Sequence, residues 1–521
     1  MTDSMAAPGP EETAERRRFE AAVAARGLML STEERDSVFQ LASWMRDGVA
    51  QLPQTLPDIR QPEPPAATED PTELSIAETG RRLRDGRLTA TALLEAHLAR
   101  IAERDGHYRA FHHLAAAQAL DAARRADAEL AAGRDRGPLH GIPIGIKDLI
   151  DVAGLPTTAG SHSRKSHRAD DDATVVARLR EAGAIILGKL ATYEFGTVGP
   201  AYDTLFPPAR NPWSLEHITG GSSSGSAAAV AGGLLRTTLG TDTGGSVRGP
   251  SSYCGTVGLK PTFGSVPIDG TVPLSPSLDH VGPISATVAE AALTLDAICA
   301  QGQGATRLLG QPIEGLRIAY ARNWFASDNQ AMPAAVAAMD AAVSHLSLLG
   351  AVIEEVELPD YFAVEVAAAA ILQYEALKIH GRALAETPDG FGRKTYQSLA
   401  CGVALSEAEY VAARRAGSAF RAALDRDVFD RFDALVTICA LTTALPVALF
   451  DKGAVWTPMR TIGFNVSGHP VLAMPMGFAN GLPLGMQIVG RHHDEARIVQ
   501  IGDAYEQATD HAVQRPPRPN A

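Results

Sequence analysis

The chain has 521 residues, of which 45% are hydrophobic, and a formal net charge of −13. That apolar content is ample for a large core, in one big domain or in two. An acidic balance without a basic block, and only 6% aromatics, exclude nucleic acid and anionic membrane surfaces as default partners, because neutralising phosphates needs clustered Lys and Arg.

The start, "MTDSMAAPGPEETAERRR", lacks the apolar core of a signal peptide. No apolar run approaches the roughly 18 residues that span a bilayer, and the expected location is the cytoplasm. Residues 1–52 read as a helical N-terminal extension. The pattern predicts a helix over 14–26, with Gly27 suited to a C-terminal cap. "STEE" follows, and Ser31 with Glu34 three residues on makes a capping box. Val38, Leu41, Ala42, Met45, Val49 and Leu52 then share one helical face, a packing stripe. Six prolines in "PQTLPDIRQPEPPAATEDP" make residues 53–73 an extended linker.

The body is expected over 74–515. Its first part, 74–135, has helical periodicity, as in "TATALLEAHLARIAERD". Short apolar runs, "GIPIGIKD" and "GAIILGKL", then alternate with helical stretches such as "DDATVVARLREAG". Strands alternating with helices imply an α/β layer structure. Residues 300–445 read as mostly helical. "PVLAMPMGF" and "GMQIVG" read as closing strands, before a helix over 495–507. The four cysteines, at 254, 299, 401 and 439, form no CxxC pair, so neither a disulfide framework nor a zinc cluster is signalled.

Several segments carry chemistry-bearing residues. "GAIILGK", 183–189, fits the first seven positions of a phosphate-binding loop, but Leu190 stands where Ser or Thr should reach magnesium and the interior is strand-like. Adjacent histidines at 112–113 and 492–493 point apart on a helix and read as surface or packing groups. No GxSxG elbow occurs. Two glycine-serine loops lie close together, "GGSSSGSAAAVAGG" from 220 and "GTDTGGSVRGPSSYCG" from 240. In the second, a serine after two glycines either sits in a plain loop before a helix or holds a nucleophile under convergent backbone amides. A serine nucleophile needs a base. "GIPIGIKDLID" offers Lys147 at the end of an apolar run: either it reaches solvent, or burial lowers its ordinary value of about 10.4 and leaves a neutral base.

"GGSSSGSAAAVA" followed by "LGTDTGGSVRGPSSYCGTVGLKPT" resembles the amidase signature. "GPLHGIPIGIKDLIDVAGLPTTAGS" resembles the upstream segment that carries that family's lysine, and "SLDHVGPIS" and "GLPLGMQIVG" match further stretches. The resemblance covers about residues 74–510, with the motifs in order. It implies an α/β amidase signature fold, a large mixed β-sheet flanked by helices on both faces, and a Ser–cisSer–Lys triad. By that resemblance Ser246 is the acyl-forming nucleophile, Ser222 the bridging serine in a cis peptide, and Lys147 the terminal base. Thr243, Gly244, Gly245 and Ser246 supply oxyanion-hole amides, and Ser223 supports the lysine. Tyr193 stands where the family often places a pocket-lining side chain, and a core aromatic is the other reading. Ser224 stands where many members have glycine.

The function expected is hydrolysis of an amide bond through an acyl-enzyme, releasing a carboxylate and ammonia or an amine from a small-molecule substrate. The resemblance implies no metal or organic cofactor. Carbamate (urethane) or ester hydrolysis uses the same triad, and the family also contains the glutaminase-type component of tRNA-dependent amidotransferases. Residues 19–52 loosely resemble the small helical companion of such assemblies, fused in cis. A noncatalytic binding protein is the third class, and the complete set of triad residue types argues against it. The extension's apolar stripe needs a surface to cover, and docking within a homodimer is the expected arrangement.

Overall fold

The computed structural model describes residues 10–25, 31–36, 38–39, 70–299, 304–451 and 455–518. The chain divides into two compact units, Met1–Arg60 and Gln61–Ala521. The division falls inside the proline-rich stretch.

In the first unit a helix spans Pro10–Ala25. The capping box forms: the Ser31 amide donates to Glu34 Oε2 at 2.7 Å and the Glu34 amide donates to Ser31 Oγ at 3.2 Å. Residues 32–36 accordingly start a second helical stretch. Phe39 is buried, its ring 5.5 Å from that of Phe19, whereas Val38 is 40% exposed. Val38 is therefore not part of a buried stripe. Leu41, Ala42, Met45, Val49 and Leu52 lie outside the described residues.

The second unit is built on one mixed sheet of eleven strands. In chain order these are β1 (Phe111–Leu114), β2 (Pro143–Lys147), β3 (Ile185–Leu190), β4 (Thr237–Asp242), β5 (Val257–Lys260), β6 (His280–Ser285), β7 (Arg317–Tyr320), β8 (Val352–Glu355), β9 (Ala434–Ile438), β10 (Val471–Ala479) and β11 (Leu482–Gly490). Across the sheet the order is β1-β3-β2-β4-β6-β5-β10-β11-β9-β7-β8. β3, β2 and β4 pair in parallel, as do β9, β7 and β8, while the strands between them pair antiparallel.

Both faces are covered, and the strand alternation shows it. Ile318 and Tyr320 enter one apolar cluster with Val175, Leu295, Met339 and Ile498 from helices. Their neighbours Ala319 and Ala321 enter another with Tyr361, Val364 and Phe420. Since successive side chains of a strand point to opposite sides, helices lie on each. The four apolar runs read as strands are β2, β3, β10 and β11. Residues 300–445 differ from the helical expectation: besides helices at Pro333–Leu348, Tyr361–Glu386 and Glu407–Ala423 they contribute β7, β8 and β9. Those strands are four or five residues long, too short for the period-2 signal to separate them from helix. Among the described residues, no helix is long and apolar enough to cross a membrane.

Candidate active site

Lys147 closes β2 and is fully buried. Its Nζ lies 2.7 Å from Ser222 Oγ, 2.9 Å from Ser223 Oγ and 2.7 Å from Thr241 Oγ1. No carboxylate is among these partners. Burial pushes the ammonium well below its ordinary value, and the more distant Asp242 and Asp279 only partly oppose it. A neutral amine has two N–H donors and one lone pair. The Ser223 hydroxyl donates to the Thr241 carbonyl at 3.1 Å, so Ser223 accepts an N–H from the lysine. In that neutral form one of the other two hydroxyls would accept the second N–H and the other would donate to the lone pair.

The Gly221–Ser222 peptide is cis. Tyr193 holds this bend: its amide donates to the Ser222 carbonyl at 3.0 Å, and its ring lies so close to Gly221 that an added Cβ would collide with it. Tyr193 is 7% exposed and also lines the adjoining cavity, so it serves as both wall and buried aromatic. Ser224, the departure from the commoner glycine, opens the helix Ser224–Ala231 and donates its hydroxyl to the Ala191 carbonyl at 3.2 Å.

β4 runs into the turn 243–246, and the helix Arg248–Cys254 follows. Gly245 has φ +124°, a conformation that favours glycine, and a Cβ there would strike the Thr461 side chain. Asp242 organises this turn. Its carboxylate accepts the Gly245 amide at 2.8 Å and the Val247 amide at 3.1 Å, and pairs with the fully buried Arg248 at 3.0 Å. Arg248 also donates to Gln487 Oε1 and to Asn465 Oδ1, and Asn465 donates to Asp242 Oδ1 at 2.8 Å. Burial alone would raise the Asp242 carboxyl, but Arg248 and Asn465 overcome it and hold the group well below the carboxylate range. One of the four expected oxyanion donors thus differs: the Gly245 amide is committed to Asp242, because the carboxylate sits inside the turn. Thr461 Oγ1 donates to the Gly244 carbonyl at 2.7 Å and steadies the other side.

The two loops meet at one cavity. Gly220, Gly221 and Thr243 to Ser246 line it together, and Ser246 is half-buried there. The empty volume is about 820 Å³, counted out through its mouth. Leu274, Leu372, Val455, Met459 and Ile462 make the wall largely apolar. The one charged side chain in the wall, among the described residues, is Glu365, which accepts Trp456 Nε1–H at 2.9 Å.

Sequence reasoning singled out Lys147, Ser222, Ser223 and Ser246 but missed Thr241, Asp242, Arg248, Thr461 and Asn465. "GTDTGGSVR" contained a signal, an acid and an arginine six residues apart around the glycines. Thr461 and Asn465 have none, since they lie more than two hundred residues from the turn. The phosphate-loop fragment is not a loop: residues 185–190 are β3, and Lys189 Nζ is buried 3.0 Å from Asp148 Oδ1. His112 also meets Asp148, with Nδ1 3.3 Å from Oδ2.

The chain is similar to known proteins over most of its length. The Amidase family profile matches residues 92–499. The A subunit of glutamyl-tRNA(Gln) amidotransferase from Chloroflexus aggregans is 38% identical over 479 residues, covering 85% of this chain and 98% of its own. Among solved structures, native peptide amidase from Stenotrophomonas maltophilia superposes with a TM-score of 0.74 at 32% identity, over 86% of this chain and 98% of that one. A chain of the inhibitor-bound vestigial complex that reveals the origins of an s-triazine catabolic enzyme gives 0.77 at 32% identity, over 83% and 98%.

Proposed function

The chain belongs to the amidase signature family, and from that premise we propose that it hydrolyses a linear amide bond with Ser246 as nucleophile, Ser222 as relay and Lys147 as base. The observation that carries this reading is the Lys147 amine, buried among three hydroxyls with no carboxylate in contact, 2.7 Å from Ser222 Oγ. A lysine so placed loses its proton more readily than an exposed one, as a proton acceptor requires.

In the proposed cycle Ser246 Oγ attacks the amide carbonyl carbon while its proton passes to Ser222 Oγ. The Ser222 proton passes to the lone pair of Lys147 Nζ. The Oγ–C bond forms, and the amides of Thr243, Gly244 and Ser246 face the developing oxyanion. The C–N bond then breaks as the Nζ proton returns through Ser222 to the leaving nitrogen. Water repeats the sequence on the ester, releasing the carboxylate and restoring the Ser246 hydroxyl. Asp242 and Arg248 act through the turn, as positioning residues.

A second reading is favoured by the 38% identity to the amidotransferase protein of Chloroflexus aggregans, across nearly the whole length of that relative. On it the same cleavage supplies nitrogen to a partner's transfer reaction. The cavity favours an uncharged amide, since none of its described wall residues is Lys or Arg and a free carboxylate would meet only Glu365. The test is a panel of primary amides, anilides, carbamates, small ureas and free glutamine, read by mass spectrometry with the chain alone. Cleavage of simple amides, lost in Ser246→Ala, supports hydrolysis. Release of ammonia from glutamine alone moves the function to the second reading. Amide cleavage that persists in Ser246→Ala removes the proposed mechanism.

A further inference from the structure

The "HH" pair at 492–493 lies outside the lining of the amidase cavity. His493 lies in a left-handed turn at φ +64°, and its amide donates to Thr262 Oγ1 at 2.8 Å. His492 turns the other way, its ring centroid 4.1 Å from that of His469. His469 is fully buried, stacked against Phe429 with ring centroids 4.7 Å apart, and its Nε2 lies 3.0 Å from Asp425 Oδ1. Each of Asp425, His469 and His492 offers one ligand atom, and the three atoms lie within 4.8 Å of one another. None of the three lines the amidase cavity.

His492 Nε2 and Ser467 Oγ are buried without a hydrogen-bond partner. His469 Nδ1 is also unpartnered, on the ring edge away from Asp425. Buried polar atoms are usually paired, so the unpartnered His492 Nε2 beside a carboxylate and a second imidazole asks for an occupant. His492 Nε2 has no hydrogen-bond partner, so with the ring proton on Nδ1 it offers a lone pair, the form in which imidazole binds a metal. Asp425 stands on a π-helical turn, Leu424–Phe429, a local widening frequent at functional sites. Arg421 approaches only the far oxygen of Asp425, with Nε 3.8 Å from Oδ2, so Oδ1 is left to the histidines.

We propose that Asp425, His469 and His492 form a binding site for a divalent transition-metal ion of the zinc type, separate from the amidase cavity. Two imidazoles and one carboxylate are a borderline donor set that suits Zn²⁺, Co²⁺ or Ni²⁺ and is short of oxygens for Ca²⁺ or Mg²⁺. Ser467 Oγ or water completes the coordination. Asp425 follows a helix, His469 precedes β10 and His492 follows β11, so the ion ties that helix to the central hairpin of the sheet.

The test uses the full chain, stripped with EDTA and titrated with Co²⁺, followed by Zn²⁺ competition and thermal melting. Wild type is expected to take up about one equivalent of Co²⁺ with visible d–d absorption from nitrogen ligands, and to gain melting temperature with Zn²⁺. Because His469 is wholly buried, His492→Gln and Asp425→Asn are the variants, and each is expected to lose both responses while keeping its metal-free melting point within a few degrees. Wild type without Co²⁺ absorption would show a water-filled pocket only and overturn the site. Absorption and melting shift unchanged in both variants would place the ion elsewhere among the fifteen histidines and overturn it equally.

Discussion

Lys147 ends β2, and Lys189 lies on β3, the strand beside it, where it pairs in register with Ile146. Both side chains are fully buried. Lys147 meets three hydroxyls, whereas Lys189 meets the Asp148 carboxylate, the Pro156 carbonyl and Thr157 Oγ1. Burial lowers both, but the Asp148 carboxylate in contact with Lys189 opposes the shift there, whereas Lys147 has no carboxylate in contact and is held well below its ordinary value. Burial makes a lysine expensive to charge, and its immediate partners decide whether it stays charged anyway. The first has the surroundings that the proposed base requires, and the second is half of a buried ion pair.

The largest expected effect separates these roles by activity. Lys147→Ala is expected to lower kcat/KM at least about 10³-fold, since the base is gone. Ser246→Ala is expected to cost roughly a million-fold. Both should melt close to wild type, and sulfonyl fluoride labelling followed by peptide mapping should find Ser246. Labelling at another serine would break the comparison at its active end.

Lys189→Met should reverse the pattern. Removing one partner of a buried ion pair leaves Asp148 uncompensated, which costs about 3–5 kcal/mol of stability. His112 and Thr158 still hydrogen-bond Asp148. Urea unfolding is the measurement. A Lys189→Met protein as stable as wild type would show that this lysine is not held by its charge.

The pH dependence sharpens the contrast. Activity should rise with pH as Lys147 loses its proton and then level off, with the rising limb well below the ordinary lysine value. Stability follows the same group. Because its folded value lies below the unfolded value of about 10.4, the unfolded chain binds more protons between the two, and this lysine makes stability rise with pH across that window. Thr241→Asp would put a carboxylate beside Lys147 and should move the rising limb to higher pH. A limb that stays in place would show that hydroxyl surroundings do not set the base.

The smallest effect belongs to single hydroxyls. Thr241→Val removes one of three partners of Lys147 and should lower kcat about tenfold, the worth of one hydrogen bond of about 1.4 kcal/mol. Steady-state kinetics beside a melting curve checks it, and the melting point should move by only a few degrees.

Much of this was legible in the sequence for local reasons. β2, β3, β10 and β11 show as apolar runs because their residues are buried on both sides. The Ser31–Glu34 box is a contact across three residues and needs nothing else. Gly221 and Gly245 stand out in loops because the backbone there has no room for a side chain. Lys147 and Ser246 showed locally only as open alternatives, and Ser222 and the role of each of the three came through motif resemblance.

Tertiary structure decided the rest. The short strands β7, β8 and β9 exist because the sheet offers them an edge, not because four or five residues prefer extension. The Gly245 amide went to Asp242 because Arg248, six residues on, and Asn465, from a distant part of the chain, hold that carboxylate inside the turn, while Gln487 in turn holds Arg248. His469 and His492 meet because β10 and β11 are paired neighbours whose far ends come together. Residue types and local spacing settled which side chains were available for chemistry. Which of two buried lysines met hydroxyls and which met a carboxylate was settled by folding, and the charge of a buried group responds to those partners as well as to its burial.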